Sequence, residues 1–246
     1  LRKTIHQRAT SMGKRYKGRF VEYDLNNEMI HGNYYEDRLG PEITKQMAGW
    51  FHQEDPDTAL YVNDYDILTG NRLDDYVKHI RQFLDSGVSI GGIGVQGHLH
   101  GMTFDPKALT HALDTLAQFH LPIRITEFNM PGQRSPFREN RRLKLTDEQE
   151  AQKAEELTKY YRICFAHPAV DGILMWGFWE GANWIPASSL YRRDWTPTPA
   201  AEAYRDLVFK EWWTKFNGHI NSEGYCEIPA FFGKYRVTVD DQVKIV

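Results

Sequence analysis

The sequence predicts an α/β fold, a parallel sheet wound by helices, and two observations carry that prediction. Five short apolar runs, at residues 20–26, 59–63, 93–97, 123–127 and 172–178, each give way to polar or glycine-rich residues and then to a longer amphipathic stretch. That alternation is the pattern of βα units. The length, 246 residues, is close to that of one single-domain (β/α)₈ barrel.

In chain order, helices are expected at residues 2–16, 41–53, 71–86, 105–119, 147–167 and 199–216. Pro41 and Pro106 suit first-turn positions, where a missing N–H costs nothing, and Thr146-x-x-Gln149 reads as a capping box. One helix thus leads in and five βα units follow. Residues 218–246 differ in character: strands are expected at 224–229 and 234–239, with Phe231-Phe232-Gly233 as the turn. The expected organisation is therefore a main α/β unit over residues 1–217 and a small β appendage over 218–246 packed on it. Residues 131–145, rich in Arg and broken by Gly132 and Pro136, form the longest irregular stretch and follow a strand end, where barrel loops carry function.

Composition excludes several classes. Hydrophobic residues make up 41% and charged residues 26%, so the chain has the composition of a globular domain. Thirty Lys and Arg against thirty-three Asp and Glu leave a net charge of −3, with no long run of either sign. Neither a nucleic acid nor an anionic membrane is an expected partner. No stretch approaches the roughly 18 apolar residues of a membrane span. Two cysteines, Cys164 and Cys226, exclude a disulfide framework and a four-thiolate zinc site, and leave open one bridge tying the tail to the main unit. The first residues, Leu1 to His6, hold neither an apolar signal core nor an initiating Met, and read as the interior of a longer gene product.

In a parallel barrel the strand C-termini converge on one face, so the polar residues that end the runs decide the chemistry. Two runs end in glutamate: the first closes on Asn27 and Glu28, the fourth on Thr126 and Glu127. The plain structural role for such a Glu is to cap the next helix or pair with an arginine. Two facing carboxylates have a sharper use, glycoside hydrolysis, in which one protonates the leaving oxygen while the other attacks or activates water.

Five ordered motifs carry a resemblance: NNEMIHG (residues 26–32), VNDYD (62–66), GIGVQGHLH (92–100), ITEFNM (125–130) and GILMWGFWEGANW (172–184). Together they resemble the later part of a family 10 glycoside hydrolase, the endo-β-1,4-xylanase family. DLNNEMIHG and HPAVDGILMWGFWE are more similar to the plant-type branch and its bacterial relatives. The resemblance implies a TIM (β/α)₈ barrel of which this chain supplies the last five βα units, with three units preceding Leu1 or contributed by a complementing chain. It implies a retaining mechanism on β-1,4-linked xylan, with Glu28 as acid/base and Glu127 as nucleophile. By the same similarity Asn27 meets the sugar 2-hydroxyl, Gln96 and His98 end the third run with His98 bonded to the nucleophile, and Trp176 and Trp184 form sugar platforms. Tyr65 lines the leaving-group side with Asn63 as support, whereas Trp50, Trp195, Trp212 and Trp213 are expected to pack. The reaction needs no cofactor, and a polymeric substrate implies a secreted or periplasmic protein.

Other readings stay open. His98-x-His100 matches the alternating pair of metal-dependent barrel hydrolases, but no further ligand set is evident on the later strands, so no metal is expected. A carbohydrate-binding barrel without turnover would keep the platforms. Mixed-linkage glucan or a decorated or marine glycan could replace xylan, and the arginines of 133–142 could meet anionic decorations.

Overall fold

The computed structural model describes residues 1–246. Helix α1 (Arg2–Tyr16) leads into β1 (Glu22–Asn27), and then come α2 (Tyr34–Leu39), α3 (Ile43–His52), β2 (Ala59–Asp64), α4 (Leu73–Asp85) and β3 (Gly92–Val95). The chain continues through α5 (Pro106–Ala117), β4 (Ile123–Phe128), α6 (Pro136–Glu139), α7 (Asp147–Ala166), β5 (Val170–Met175) and α8 (Pro199–Asp206). All five strands are parallel, in the order β1-β2-β3-β4-β5, so each βα unit lays its strand beside the one before. The central strands β2 and β3 are almost wholly buried, while the edge strands β1 and β5 are partly exposed.

The helices bury one stripe each. In α4 this is Leu73, Tyr76, Ile80 and Phe83; in α5 it is Leu109, Ala112, Leu113 and Leu116; both follow the 3–4 residue spacing of an amphipathic helix. These side chains and those of the strands form one cluster of 32 buried hydrophobic residues. Each fully buried Leu or Ile contributes roughly 1.5–3 kcal/mol. Tyr76, buried in this cluster, places its hydroxyl 2.7 Å from Gly94 O and 3.0 Å from Val62 O, so α4 is tied to β2 and β3 without an unpaired polar atom.

Caps define several helix starts. Asp105 accepts from Lys107 N ahead of Pro106 at the start of α5. Thr146 and Gln149 form the reciprocal capping box of α7: Gln149 N donates to Thr146 Oγ1 at 3.2 Å and Thr146 N donates to Gln149 Oε1 at 3.0 Å.

Some expectations are corrected. Pro41 lies ahead of α3 rather than in its first turn, because Ile43 N bonds Gly40 O and closes a turn there. The short α2 was not anticipated. Helix α8 ends at Asp206 and passes into a π-helical turn, Leu207–Glu211, instead of continuing to residue 216. No strand forms over 224–229, where Asn221 and Tyr225 close a turn through their backbones. The tail strands are β6 (Arg236–Val239) and β7 (Gln242–Ile245), an antiparallel hairpin whose two-residue turn begins at Asp240 with φ 50°. Asp is among the few non-glycine residues that tolerate that conformation. Trp213 is exposed rather than packed, and Trp195, also exposed, packs by one face on Trp179. Cys164 is buried and Cys226 exposed, and both are free thiols. No helix is long and apolar enough to cross a membrane.

Thr146→Ala removes one half of the exposed capping box and should cost about 1 kcal/mol of stability. Urea unfolding should show a lower midpoint with an unchanged slope.

Candidate active site

Both strands that carry the glutamates are irregular where it matters. In β1 the register slips between Asp24 and Asn26, and in β4 it slips between Ile125 and Phe128. Such bulges re-aim the residues beyond them. Glu28 follows β1 with φ 60°, a left-handed conformation that is costly for a residue with a Cβ. Its N–H donates to Asn63 O at 2.9 Å, and its carboxylate accepts from Gln96 Nε2 at 2.8 Å.

Glu127, in β4, has a side chain only 12% exposed. Asn63 Nδ2 donates to Asn27 Oδ1 at 3.1 Å and stands 3.5 Å from Glu127 Oε1, while Asn63 Oδ1 accepts from Thr126 Oγ1 at 2.8 Å. The Asn63 side chain has room because its neighbour on β3 is a glycine: a Cβ on Gly94 would stand 2.8 Å from Asn63 Oδ1. His98 Nε2 lies 3.1 Å from Glu127 Oε2, and its Nδ1 lies 2.7 Å from Asn129 Oδ1, while Asn129 Nδ2 is buried without a partner. Two arrangements satisfy the ring. Either an imidazolium donates to both oxygens, or the Asn129 amide is turned over and donates to a neutral ring. In both, Nε2 carries the hydrogen and donates to Glu127.

The remaining expected residues fall around this centre. Trp176, on the inner face beyond β5, is 48% exposed. The Trp184 ring lies 5.0 Å from His98, its Nε1 is buried without a partner, and the Arg138 guanidinium stands 4.9 Å over its face. Tyr65 stacks on His31 at 3.5 Å, and burial first, then the charges of Glu28, Asp64 and Asp66, push its phenol above the ordinary range. The structure thus brings Glu28, Gln96, Glu127, His98, Asn27 and Trp184 into one connected network. Trp176 joins its inner wall, and Tyr65 flanks the Glu28 side. A cavity of about 260 Å³ at Glu127 is lined by Asp24, Tyr61, Arg124, Leu174 and Trp176 among others.

Sequence reasoning missed two clamps. The buried Asp64 accepts from Ile30 N and Tyr65 N and pairs with His31 Nδ1 at 2.6 Å, pinning the loop after Glu28. Asp66, with φ 61°, gathers His100, Gln133 and Arg134 at 2.7–2.9 Å and so joins three loops. Burial alone would raise the Asp66 carboxyl, but the hydrogen bonds from His100 and Arg134 prevail and hold it below the usual range. Both acids sit in the VNDYD motif, whose density of polar residues after an apolar strand was the available signal. His98 and His100 each face a different carboxylate, and no group of three or more His, Cys, Asp or Glu side chains is placed to hold a metal ion.

Glycosyl hydrolase family 10 is the class whose family model matches residues 1–207, and the chain belongs to that family. It is 35% identical to the anti-sigma-I factor RsgI6 of Acetivibrio thermocellus, an alignment covering 97% of this chain and 29% of that protein. With endo-1,4-beta-xylanase 1 of Arabidopsis thaliana it shares 34% identity over 97% of this chain and 24% of the relative. The fold matches native xylanase 10B from Thermotoga maritima with a TM-score of 0.73 at 24% identity, covering 86% of this chain and 67% of that one. These matches place the parallel sheet in the family's TIM-barrel fold. The chain spans less than a third of the length of these two curated relatives.

Asp24 supplies a pH test. Desolvation first, then the charges of Glu127 and Glu22, raise its carboxyl to about 6. A folded-state value above the unfolded one means that the native state holds the proton longer. This contribution therefore favours folding at about pH 4 and fades as pH rises to about 6. Asp24→Asn should flatten the fall in Tm over that window and be the more stable form at pH 7. Parallel Tm-versus-pH curves for the two proteins would contradict this.

Proposed function

We propose that this chain carries the catalytic face of a retaining endo-β-1,4-glycanase that hydrolyses xylan. The observation that carries the reading is the convergence of Glu28 and Glu127 on Asn63, one through its backbone and the other through its side chain. Glu127, oriented by His98 and Asn63, attacks the anomeric carbon. Glu28, oriented by Gln96, protonates the leaving oxygen and then deprotonates the water that releases the glycosyl-enzyme. Asn27, held by Asn63, offers its amide to the sugar 2-hydroxyl. The exposed Trp176 face suits the apolar C–H face of a pyranose ring. No cofactor enters these steps. The five strands correspond to five of the barrel's eight, which agrees with β1 and β5 standing as sheet edges. A substrate of this size would be met outside the cytoplasm, in a secreted or periplasmic protein.

A second reading rests on a specific observation. Arg138, over the Trp184 ring, has no ion pair or side-chain hydrogen bond within the chain, which favours a glycan with acidic decorations. A binding barrel without turnover is the third reading, and the kinetic test separates it.

Glu127→Ala should abolish turnover of an aryl β-xylobioside in the full protein. Added azide should restore it with formation of the α-glycosyl azide, and a β-azide product would contradict the nucleophile assignment. Glu28→Gln should lose about 10²–10⁴-fold on xylan and far less on an aryl glycoside with a good leaving group, because such a group departs without an acid. Equal losses on both would remove Glu28 from that role.

A further inference from the structure

The loop after β5 builds a second aromatic surface that the catalytic scheme does not use. Trp179 and Trp195 are stacked with ring centroids 5.2 Å apart and planes 9° from parallel, and Trp195 is 56% exposed. Phe178, also exposed, lies 6.2 Å from Trp195. The aromatic neighbours of Trp195 are Phe178, Trp179 and Tyr191, so it touches neither Trp176 nor Trp184.

Three features show that this stack is built in advance. Trp195 has φ 69°, a conformation in which glycine or asparagine sits at little cost and a tryptophan is strained. The turn that imposes it is closed by Arg192 N to Thr196 O and Trp195 N to Arg192 O, both at 2.9 Å, and by Asp194 accepting from Thr196. Beneath, Trp179 is fixed by its Nε1 donating to Arg193 O at 3.2 Å and by lying on Gly181, where a Cβ would stand 2.2 Å from the indole. Glycine is required there because the ring occupies the side-chain space. Arg193, whose carbonyl holds the Trp179 ring, donates its backbone N–H to Glu180 Oε2 at 3.0 Å, and its charge helps to hold the Glu180 carboxyl below the usual range.

A flat, rigid, exposed indole fits a pyranose ring, whose axial C–H face is apolar. A protein partner would need a larger continuous apolar area than a single stacked ring pair. The ring lies on the same βα loop as Trp176 and Trp184, the segment between β5 and α8. We propose that Trp195, backed by Trp179, is a secondary binding platform for one or two pyranose units of a β-1,4-linked polysaccharide chain, outside the catalytic subsites. This rests on the glycanase reading for its choice of ligand.

The test compares the full protein with its Trp195→Ala, Trp195→Phe and Trp213→Ala variants by affinity electrophoresis in soluble xylan, each carrying Glu127→Ala to prevent turnover. Trp195→Ala should weaken binding to the polymer about tenfold, Trp195→Phe by less than about threefold, and the exposed control Trp213→Ala not at all. Xylobiose titrations should change by less than about twofold in every variant, since so short a ligand does not reach beyond the cleft. Unchanged polymer binding in Trp195→Ala overturns the proposal, and so does an equal loss for xylobiose and polymer. If the protein with Glu127 intact turns over no xylan, the catalytic reading fails separately. The same variants in cellulose and mixed-linkage glucan gels then decide the platform: selective loss in Trp195→Ala supports it, and retention like that of the control overturns it.

Discussion

The site depends on one buried amide. Asn63 stands at 1% exposure in the second strand, where an unpaired side-chain amide would cost about 1–3 kcal/mol. Its polar atoms are paired: Asn27 and Glu127 take its N–H groups, Thr126 bonds its oxygen, and its backbone carbonyl holds Glu28. The Glu28 backbone and the Glu127 carboxylate are thereby referred to one buried residue, while the Glu28 carboxylate is held by Gln96. The register slips of β1 and β4 fall just before Glu28 and across Glu127, where a bulge re-aims the residues beyond it.

Much of this was legible beforehand, and the parts that were not share a cause. Strands β2, β3 and β4 lie within about a residue or two of their apolar runs, since a buried parallel strand announces itself by continuous hydrophobicity. The glutamates were visible as polar residues ending such runs. His98 was placed on Glu127 only through resemblance to a family, and the structure provides the contact. The Asp64 and Asp66 clamps were illegible because their partners, His31, His100, Gln133 and Arg134, lie 33 to 68 residues away along the chain. Periodicity carries no information about such pairings. The tail was misjudged for the opposite reason: a short apolar stretch resembled a strand, while the Asp240-Asp241 pair that turns the hairpin lacks the glycine usual in such turns.

The Arg-rich loop shows how one composition divides into separate tasks. Arg134 is spent on Asp66, Arg141 donates to Asn183 O, and Arg138 lies over Trp184. A count of arginines would assign all of them to a ligand, whereas the contacts leave Arg138 and Arg142 uncommitted. The same division runs through the tryptophans, which separate into an inner pair near His98, a stacked outer pair and peripheral rings.

Arg124 has a mechanical meaning. From the fourth strand its guanidinium reaches Glu22 on the first at 2.8 Å and grips Asp171 on the fifth with two bonds at 2.9 and 3.0 Å. It is a chord drawn across the concave side of the sheet, and a chord of fixed length sets the curvature of the arc it subtends. The two edge strands are held at a defined distance by one side chain below the glutamates, so the width of the groove at the rim is inherited from a charge contact at its floor.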